Sequence, residues 1–177
     1  MSSNNPLVSV IIPTYNRADV IGRSIRSVLN QSHENFQMLI IDDGSTDSTE
    51  EVINSFDDDR IKYIYQKNQG ANAARNQGIK IAEGDYISFL DSDDVFYPDY
   101  LSRSISAISN ASSECIGSAT ANVSYSPEKK TRSRIPEKEL SLENFQSQNP
   151  IGSFSATTFH TTVRDKVGLL DETLPSL

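Results

Sequence analysis

The chain has 177 residues, 36% of them hydrophobic, a single cysteine and a formal net charge of −8. That length and apolar content suit one soluble domain with a sizeable core, so residues 1–177 are read as a single domain. The acidic balance excludes a broad nucleic-acid or anionic-membrane surface, and Cys115 alone excludes both an internal disulfide and a Cys-based zinc site.

The opening residues MSSNNP lack the basic start and apolar stretch of a signal peptide. No later apolar run approaches the roughly 20 residues that cross a bilayer, so no transmembrane segment and a cytoplasmic location are expected. Val8, Val10, Ile11 and Ile12 form the first predicted strand, ended by Pro13. Ile21, Ile25, Val28 and Leu29 then recur at helical spacing, with Arg23, Arg26 and Asn30 on the opposite face. Met38 to Ile41 reads as a second strand closed by Asp42, Asp43 and Gly44. Ser48 with Glu51 three residues later has the form of a capping box and predicts a helix through Val52, Ile53 and Phe56. The acidic run Asp57 to Asp59 is a solvated turn.

Ile61 to Tyr65 alternates like a strand, and the Ala-rich stretch from Gly70 to Ala82 predicts a helix with Gly84 as its stop. A strand through Ile87, Phe89 and Leu90 follows, then a helix through Leu101, Ile105 and Ile108. The order continues with a β-prone stretch from Cys115 to Tyr125, in which Cys115 is a small buried residue, and a charged loop from Ser126 to Arg134. A short helix around Leu140 to Phe145 and a strand near Phe154 to Phe159 complete it. Strands alternating with helices in this way build a mostly parallel sheet covered by helices, an α/β fold.

The strand in YISFLDSDD runs directly into Asp91, Asp93 and Asp94. Ligands of open α/β sheets bind at the carboxyl ends of the strands. Carboxylates this close repel one another unless a cation compensates, and a hard divalent ion such as Mg²⁺ or Mn²⁺ can also hold a phosphate. Taken alone the cluster also fits an acidic turn leading into a helix begun by Pro98. Two other strand ends add Thr14, Tyr15 and Asn16, and Asp42, Asp43, Gly44 and Ser45, and parallel strands would bring all three loops to one rim. There Tyr15 can offer its ring to a base, a carboxylate can accept a base N–H or ribose hydroxyls, and Arg75 can meet phosphate charge. Neither GxGxxG nor a P-loop is present. His33 and His160 are far apart and receive no role.

VSVIIPTYNR, LIIDDGSTDST, NQGANAARNQGI and GDYISFLDSDD, in that order, resemble the nucleotide-binding half of the family-2 inverting glycosyltransferases over residues 7–172. The resemblance implies a single α/β domain of the GT-A type with a Rossmann-like sheet. It also implies a metal-dependent transfer, with inversion, from a nucleotide diphosphate sugar, UDP-sugar first, to a saccharide or lipid-linked saccharide acceptor in polysaccharide biosynthesis. Carried over by position, Pro13, Thr14 and Tyr15 line the base pocket, Asp43 reads the base and Arg75 lies near the diphosphate. Asp91, Ser92 and Asp93 form the Asp-x-Asp, with Asp91 nearer the ribose and Asp93 the ligand of Mn²⁺ or Mg²⁺. Gly152 and Ser153 border the sugar. A peripheral position at the inner face of the membrane is compatible with such an acceptor.

VGLLDETLPSL resembles the family's Gly-Gly-Phe-Asp-Glu element, which precedes the Asp serving as general base. The base is therefore expected beyond Leu177, and no catalytic residue is named; Asp171 and Glu172 are expected to serve a turn or helix start. On this reading the chain is a glycosyltransferase-type domain truncated before its general-base motif, holding the donor-binding part. The alternative is a non-catalytic nucleotide-sugar-binding or interaction module. A nucleotidyltransferase would need a Gly-rich loop after the first strand, which PTYNRADV does not supply.

Overall fold

The structure, a computed structural model, describes residues 5–111, 115, 117–120, 123–125, 130–132, 155 and 157–173. The helix expected around Leu140 to Phe145, and Gly152 and Ser153, lie outside the described residues. The elements are β1 (Val8–Thr14), α1 (Ile21–Leu29), β2 (Phe36–Asp42), α2 (Thr49–Asn54), β3 (Ile61–Tyr65), α3 (Ala71–Ile81), β4 (Tyr86–Phe89) and α4 (Tyr100–Ser109). After them come β5 (Gly117–Ala119), β6 (Val123–Tyr125), β7 (Lys130–Arg132), β8 (Thr157–His160) and α5 (Thr162–Val167). Six strands form one sheet in the order β3-β2-β1-β4-β8-β5, and β6 and β7 pair separately.

β1, β2, β3 and β4 are mutually parallel, whereas β8 runs antiparallel to both β4 and β5. The sheet is α/β and mostly parallel, as its alternating elements predict. Successive β1 residues point to opposite faces. Val8, Val10 and Ile12 pack with Ile21, Ile25 and Val28 of α1 and with Leu101 and Ile108 of α4. Ile11, with Leu39 and Ile41 of β2, packs on the other face against Ala74 and Ile79 of α3. Both faces are thus covered, which explains why β1 and β2 read as nearly continuous apolar runs and are buried throughout.

Several local expectations are corrected. Ser48 holds the N-cap position of α2 but makes no capping hydrogen bond. Asp47 serves instead, its Oδ1 accepting from the Thr49 amide at 3.1 Å and hydroxyl at 2.5 Å. The helix ends at Asn54, short of Phe56. Gly84 does not terminate α3 in a left-handed turn, since Ala82 already leaves the helix in extended conformation. It is small because a Cβ there would lie 2.7 Å from the Ser9 amide nitrogen. Cys115 is half-buried just ahead of β5, and the β-prone stretch splits into β5 and β6, which belong to different sheets. The Asp57–Asp59 turn is held by Arg60, which donates to both Asp58 oxygens at 2.8 and 2.9 Å. That hydrogen-bonded guanidinium holds the Asp58 carboxyl down at about 2.

Gly78 sets how closely α3 approaches the sheet, for a Cβ there would fall 2.5 Å from Ile11 Cγ2. Gly78→Ala should therefore push the helix outward and cost about 1–3 kcal/mol, the usual range for overpacking, as read from chemical denaturation. Unchanged stability would mean that Ile11 gives way freely.

Candidate functional site: a cleft at the carboxyl rim of the sheet

The parallel alignment of β1, β2 and β4 brings the loops after them to one rim. They enclose an open cleft of about 400 Å³ lined by Pro13, Thr14, Tyr15, Asp43, Arg75, Asp91, Ser92 and Asp93. These eight residues, which the resemblance assigns to the nucleotide or the metal, are thus brought to one cavity, whereas Asn16, Asp42, Gly44, Ser45 and Asp94 do not line it. Arg17 and Asn68 also line it, and neither was expected from the sequence.

The loop after β1 turns through Asn16, which has a positive φ of 51°. Asn tolerates that conformation, and here its side chain is also fixed. Asn16 Oδ1 accepts from the Thr46 amide at 2.7 Å, and the Asn16 amide donates to Ser45 Oγ at 2.9 Å. This tie between the first two rim loops leaves Tyr15, 47% exposed, on the cleft. Thr14 Oγ1, by contrast, is buried and without a hydrogen-bond partner among the described residues.

Two adjacent aspartates divide the work of the second loop. Asp42 is buried and structural, its Oδ1 accepting from the Ser45 amide at 2.8 Å and its Oδ2 from the Tyr63 hydroxyl at 2.9 Å. Burial, with that neighbouring carboxylate, pushes the Tyr63 phenol well up. Asp43 is 3% exposed and organises the loop after β3. Its Oδ1 accepts from Gln66 Nε2 at 2.7 Å and the Gln69 amide at 2.9 Å, and its Oδ2 from the Gly70 amide at 2.7 Å. A carboxylate has about four lone-pair sites, and among the described residues three of those of Asp43 are filled, two on Oδ1 and one on Oδ2. Gly44 has φ 86°, and a Cβ there would lie 2.9 Å from the Asn68 amide nitrogen, so this approach of loops requires glycine.

The acidic loop after β4 is held from below by α1. Ser24, fully buried, shares its hydroxyl proton between the carbonyls of Ser92 at 2.8 Å and Asp94 at 2.6 Å. Gln31 donates to the Tyr97 carbonyl at 2.7 Å and accepts from the Leu101 amide at 3.0 Å. From the other side, Ser155 Oγ accepts from the Asp91 amide at 2.7 Å. A buried serine at a core-facing position of α1 was the available sequence signal for this support. Ser24→Ala should leave those carbonyls without their buried donor and cost about 1–3 kcal/mol in denaturation. An unchanged midpoint would show that the loop does not depend on it.

Arg75, 6% exposed, donates through Nη2 to Asp91 Oδ1 at 2.7 Å and through Nη1 to Asn72 Oδ1 at 3.2 Å. The resemblance implies a diphosphate-side arginine; in this structure the guanidinium also carries the charge of Asp91. Partial desolvation, and then the neighbouring Asp91 and Asp93, raises the Asp94 carboxyl above its ordinary range, against a hydrogen bond from Ser155. Asp93 stands exposed at the rim. Among the described residues no three His, Cys, Asp or Glu side chains converge as a metal cage. A hard ion such as Mg²⁺ can bind through one or two carboxylates and complete its shell with phosphates and water.

Asp171 Oδ1 accepts from the Thr173 amide at 2.9 Å and hydroxyl at 2.7 Å, which is a turn-starting arrangement. His33 meets the Pro6 carbonyl and His160 packs edge-on against Tyr86; neither lines the cleft. Among the described residues no helix is long and apolar enough to cross a membrane.

The mostly parallel sheet with its polar cleft at the carboxyl rim is of the GT-A type, as its likeness to solved glycosyltransferase structures shows. The chain belongs to glycosyl transferase family 2, whose model matches residues 9–167. It is 57% identical over 97 residues to an uncharacterized glycosyltransferase of Rickettsia conorii, an alignment covering 54% of this chain and 16% of that protein. It is 44% identical over 108 residues to TuaG of Bacillus subtilis, provisionally assigned to teichuronic acid biosynthesis, covering 59% and 43% respectively. The chain thus spans less than half the length of these relatives. Among solved structures, residues 1–349 of S. aureus TarS superpose with a TM-score of 0.73 at 24% identity, over 96% of this chain and 51% of that one. The mannosyltransferase PcManGT of Pyrobaculum calidifontis, in complex with GDP-Man and Mn²⁺, gives a TM-score of 0.72 at 17% identity, over 97% and 49%. At these identities the structures speak for the fold alone.

Proposed function

We propose that this chain is the donor-binding part of an inverting glycosyltransferase that takes a nucleotide diphosphate sugar, with UDP as the preferred nucleotide. The observation that carries the reading is the convergence of Tyr15, Asp43, Arg75, Asp91 and Asp93, from four separate segments, on one cleft of about 400 Å³. Ligand pockets usually measure about 300–1,000 Å³. The exposed Tyr15 ring gives a base a face to stack on, and the remaining lone-pair direction of Asp43 accepts a base N–H. Asp91, held by Arg75, faces the ribose, while Arg17 and Arg75 supply positive charge for the diphosphate.

Asp93 would hold Mn²⁺ or Mg²⁺ together with the diphosphate oxygens. When bound, such an ion neutralises charge on the departing nucleotide diphosphate. Attack by an acceptor hydroxyl on the anomeric carbon, opposite that leaving group, inverts the configuration and needs a base on the acceptor side. No described residue is assigned to that proton transfer, since Asp171 is engaged in its own turn.

TarS has been solved with UDP and with UDP-GlcNAc, which supports UDP as the first nucleotide to try. TuaG, and WcaA of Escherichia coli, provisionally assigned to colanic acid biosynthesis, support a role in polysaccharide synthesis, for which a saccharide or lipid-linked saccharide is the acceptor to test. A cytoplasmic protein working at the inner face of the membrane fits such an acceptor.

Calorimetry with UDP, with and without Mn²⁺, tests the donor site directly, with GDP as the competing base. Binding strengthened by Mn²⁺ is expected for UDP; a folded sample that binds neither nucleotide would sink the reading. Release or transfer of labelled sugar from a UDP-sugar then separates an enzyme from a module that only binds.

A further inference from the structure

Beside its cleft-lining residues Ala71, Ala74 and Arg75, α3 makes a second set of hydrogen bonds that the donor site does not explain. Asn76 is 1% exposed and addresses a segment more than 90 residues away. Its Oδ1 accepts from the Leu170 amide at 2.8 Å, and its Nδ2 donates to the Leu170 carbonyl at 2.9 Å and to Glu172 Oε1 at 2.8 Å. One turn earlier, Asn72 Nδ2 donates to the Asp171 carbonyl at 3.0 Å. The other end of the same amide, Asn72 Oδ1, accepts from Arg75 Nη1 at 3.2 Å, and Arg75 Nη2 donates to Asp91 Oδ1 at 2.7 Å.

The three side chains lie at i, i+3 and i+4 on one helix and therefore share a face. Arg75, which lines the cleft, and Asn72 make an unbroken chain of hydrogen bonds from Asp91 in the acidic loop after β4 to the Asp171 carbonyl, and Asn76 holds the Leu170 backbone and the Glu172 side chain beside it. A primary amide in such a chain has a fixed polarity: the oxygen must face Arg75 if the nitrogen is to reach Asp171. Turning either end displaces the other.

We propose that Asn72 and Asn76 latch residues 168–173 onto α3, and that Asn72, as a positioning residue, couples this latch to the Arg75–Asp91 pair. A ligand that loads Arg75 and Asp91 then tightens residues 168–173, and by reciprocity a latched segment favours that ligand. The ligand arm rests on the nucleotide reading of the cleft; the latch itself does not.

Hydrogen exchange across residues 168–173 in the whole chain tests both arms. Without nucleotide, Asp91→Asn, which weakens the charge-assisted bond to Arg75, should speed exchange in this segment at least threefold. Introduced into Asn72→Ala, the same change should have no further effect. With UDP and Mn²⁺, the wild-type segment should slow at least threefold, whereas Asn72→Ala should bind UDP without slowing it. A merely structural Asn72 would give faster exchange in Asn72→Ala but leave the segment indifferent to Asp91→Asn in the wild-type background. That result, or a response surviving in Asn72→Ala, overturns the coupling.

Asn76→Asp sets a carboxylate against Glu172 and the Leu170 carbonyl and should release the segment, with Glu172→Gln partly restoring it by offering an amide donor. No release would overturn the latch. If wild-type protein binds neither UDP nor GDP, the nucleotide reading falls, and the Asp91 and Asn72 variants still decide the coupling.

Discussion

Asp43→Ala is expected to weaken UDP binding by roughly two orders of magnitude, through two losses that a single structure-preserving variant can separate. The first is the ligand's own hydrogen bond to the carboxylate; bonds to charged groups contribute about 1.5–3 kcal/mol. The second is organisation. Asp43 accepts from the amides of Gln69 and Gly70 and from the Gln66 side chain, and so shapes the loop that delivers Asn68 and Gly70 to the cleft. Asp43→Asn retains the size and one acceptor oxygen but turns an NH₂ group toward donors that need an acceptor. Calorimetry paired with thermal denaturation distinguishes the contributions. A large loss of affinity with a small shift in midpoint assigns Asp43 to the ligand, whereas parallel losses assign it to the loop. Full-strength binding by Asp43→Ala would remove Asp43 from the site.

The parts of this molecule that were legible in its sequence are those written in local pattern. β1, β2 and the strand before the acidic cluster are short apolar runs ending in polar loops, and α1 shows its buried face at Ile21, Ile25 and Val28. Strand alternation with helices then gives parallel order, and parallel order gives a shared rim. What escaped depends on distance along the chain. Asn72 and Asn76 look like ordinary polar residues of an Ala-rich helix until a segment nearly 100 residues away supplies their partners. Arg75 looks like a phosphate ligand, and only the fold shows that Asp91 already meets its charge. The capping box at Ser48 failed for a local reason: Asp47, one residue earlier, has a carboxylate in reach of the same helix start.

Asp93→Asn should abolish the gain in UDP affinity that Mn²⁺ provides while leaving the folded protein as stable as before, or slightly more so. Asp93 is exposed, and its charge lies beside Asp91 and the partly desolvated Asp94, so neutralising it relieves repulsion within the loop. The loss of metal-dependent affinity should be at least the 10–100-fold typical of removing a group that merely supports a metal ligand. Asp91→Asn is the informative contrast. It weakens the partner of a nearly buried arginine, so it should lower stability as well as affinity. Calorimetry in the presence and absence of Mn²⁺, beside denaturation of both variants, checks the division of labour. If Asp93→Asn keeps the Mn²⁺ effect and Asp91→Asn loses it without loss of stability, the metal belongs on Asp91, and Arg75 must move off that carboxylate when the donor binds.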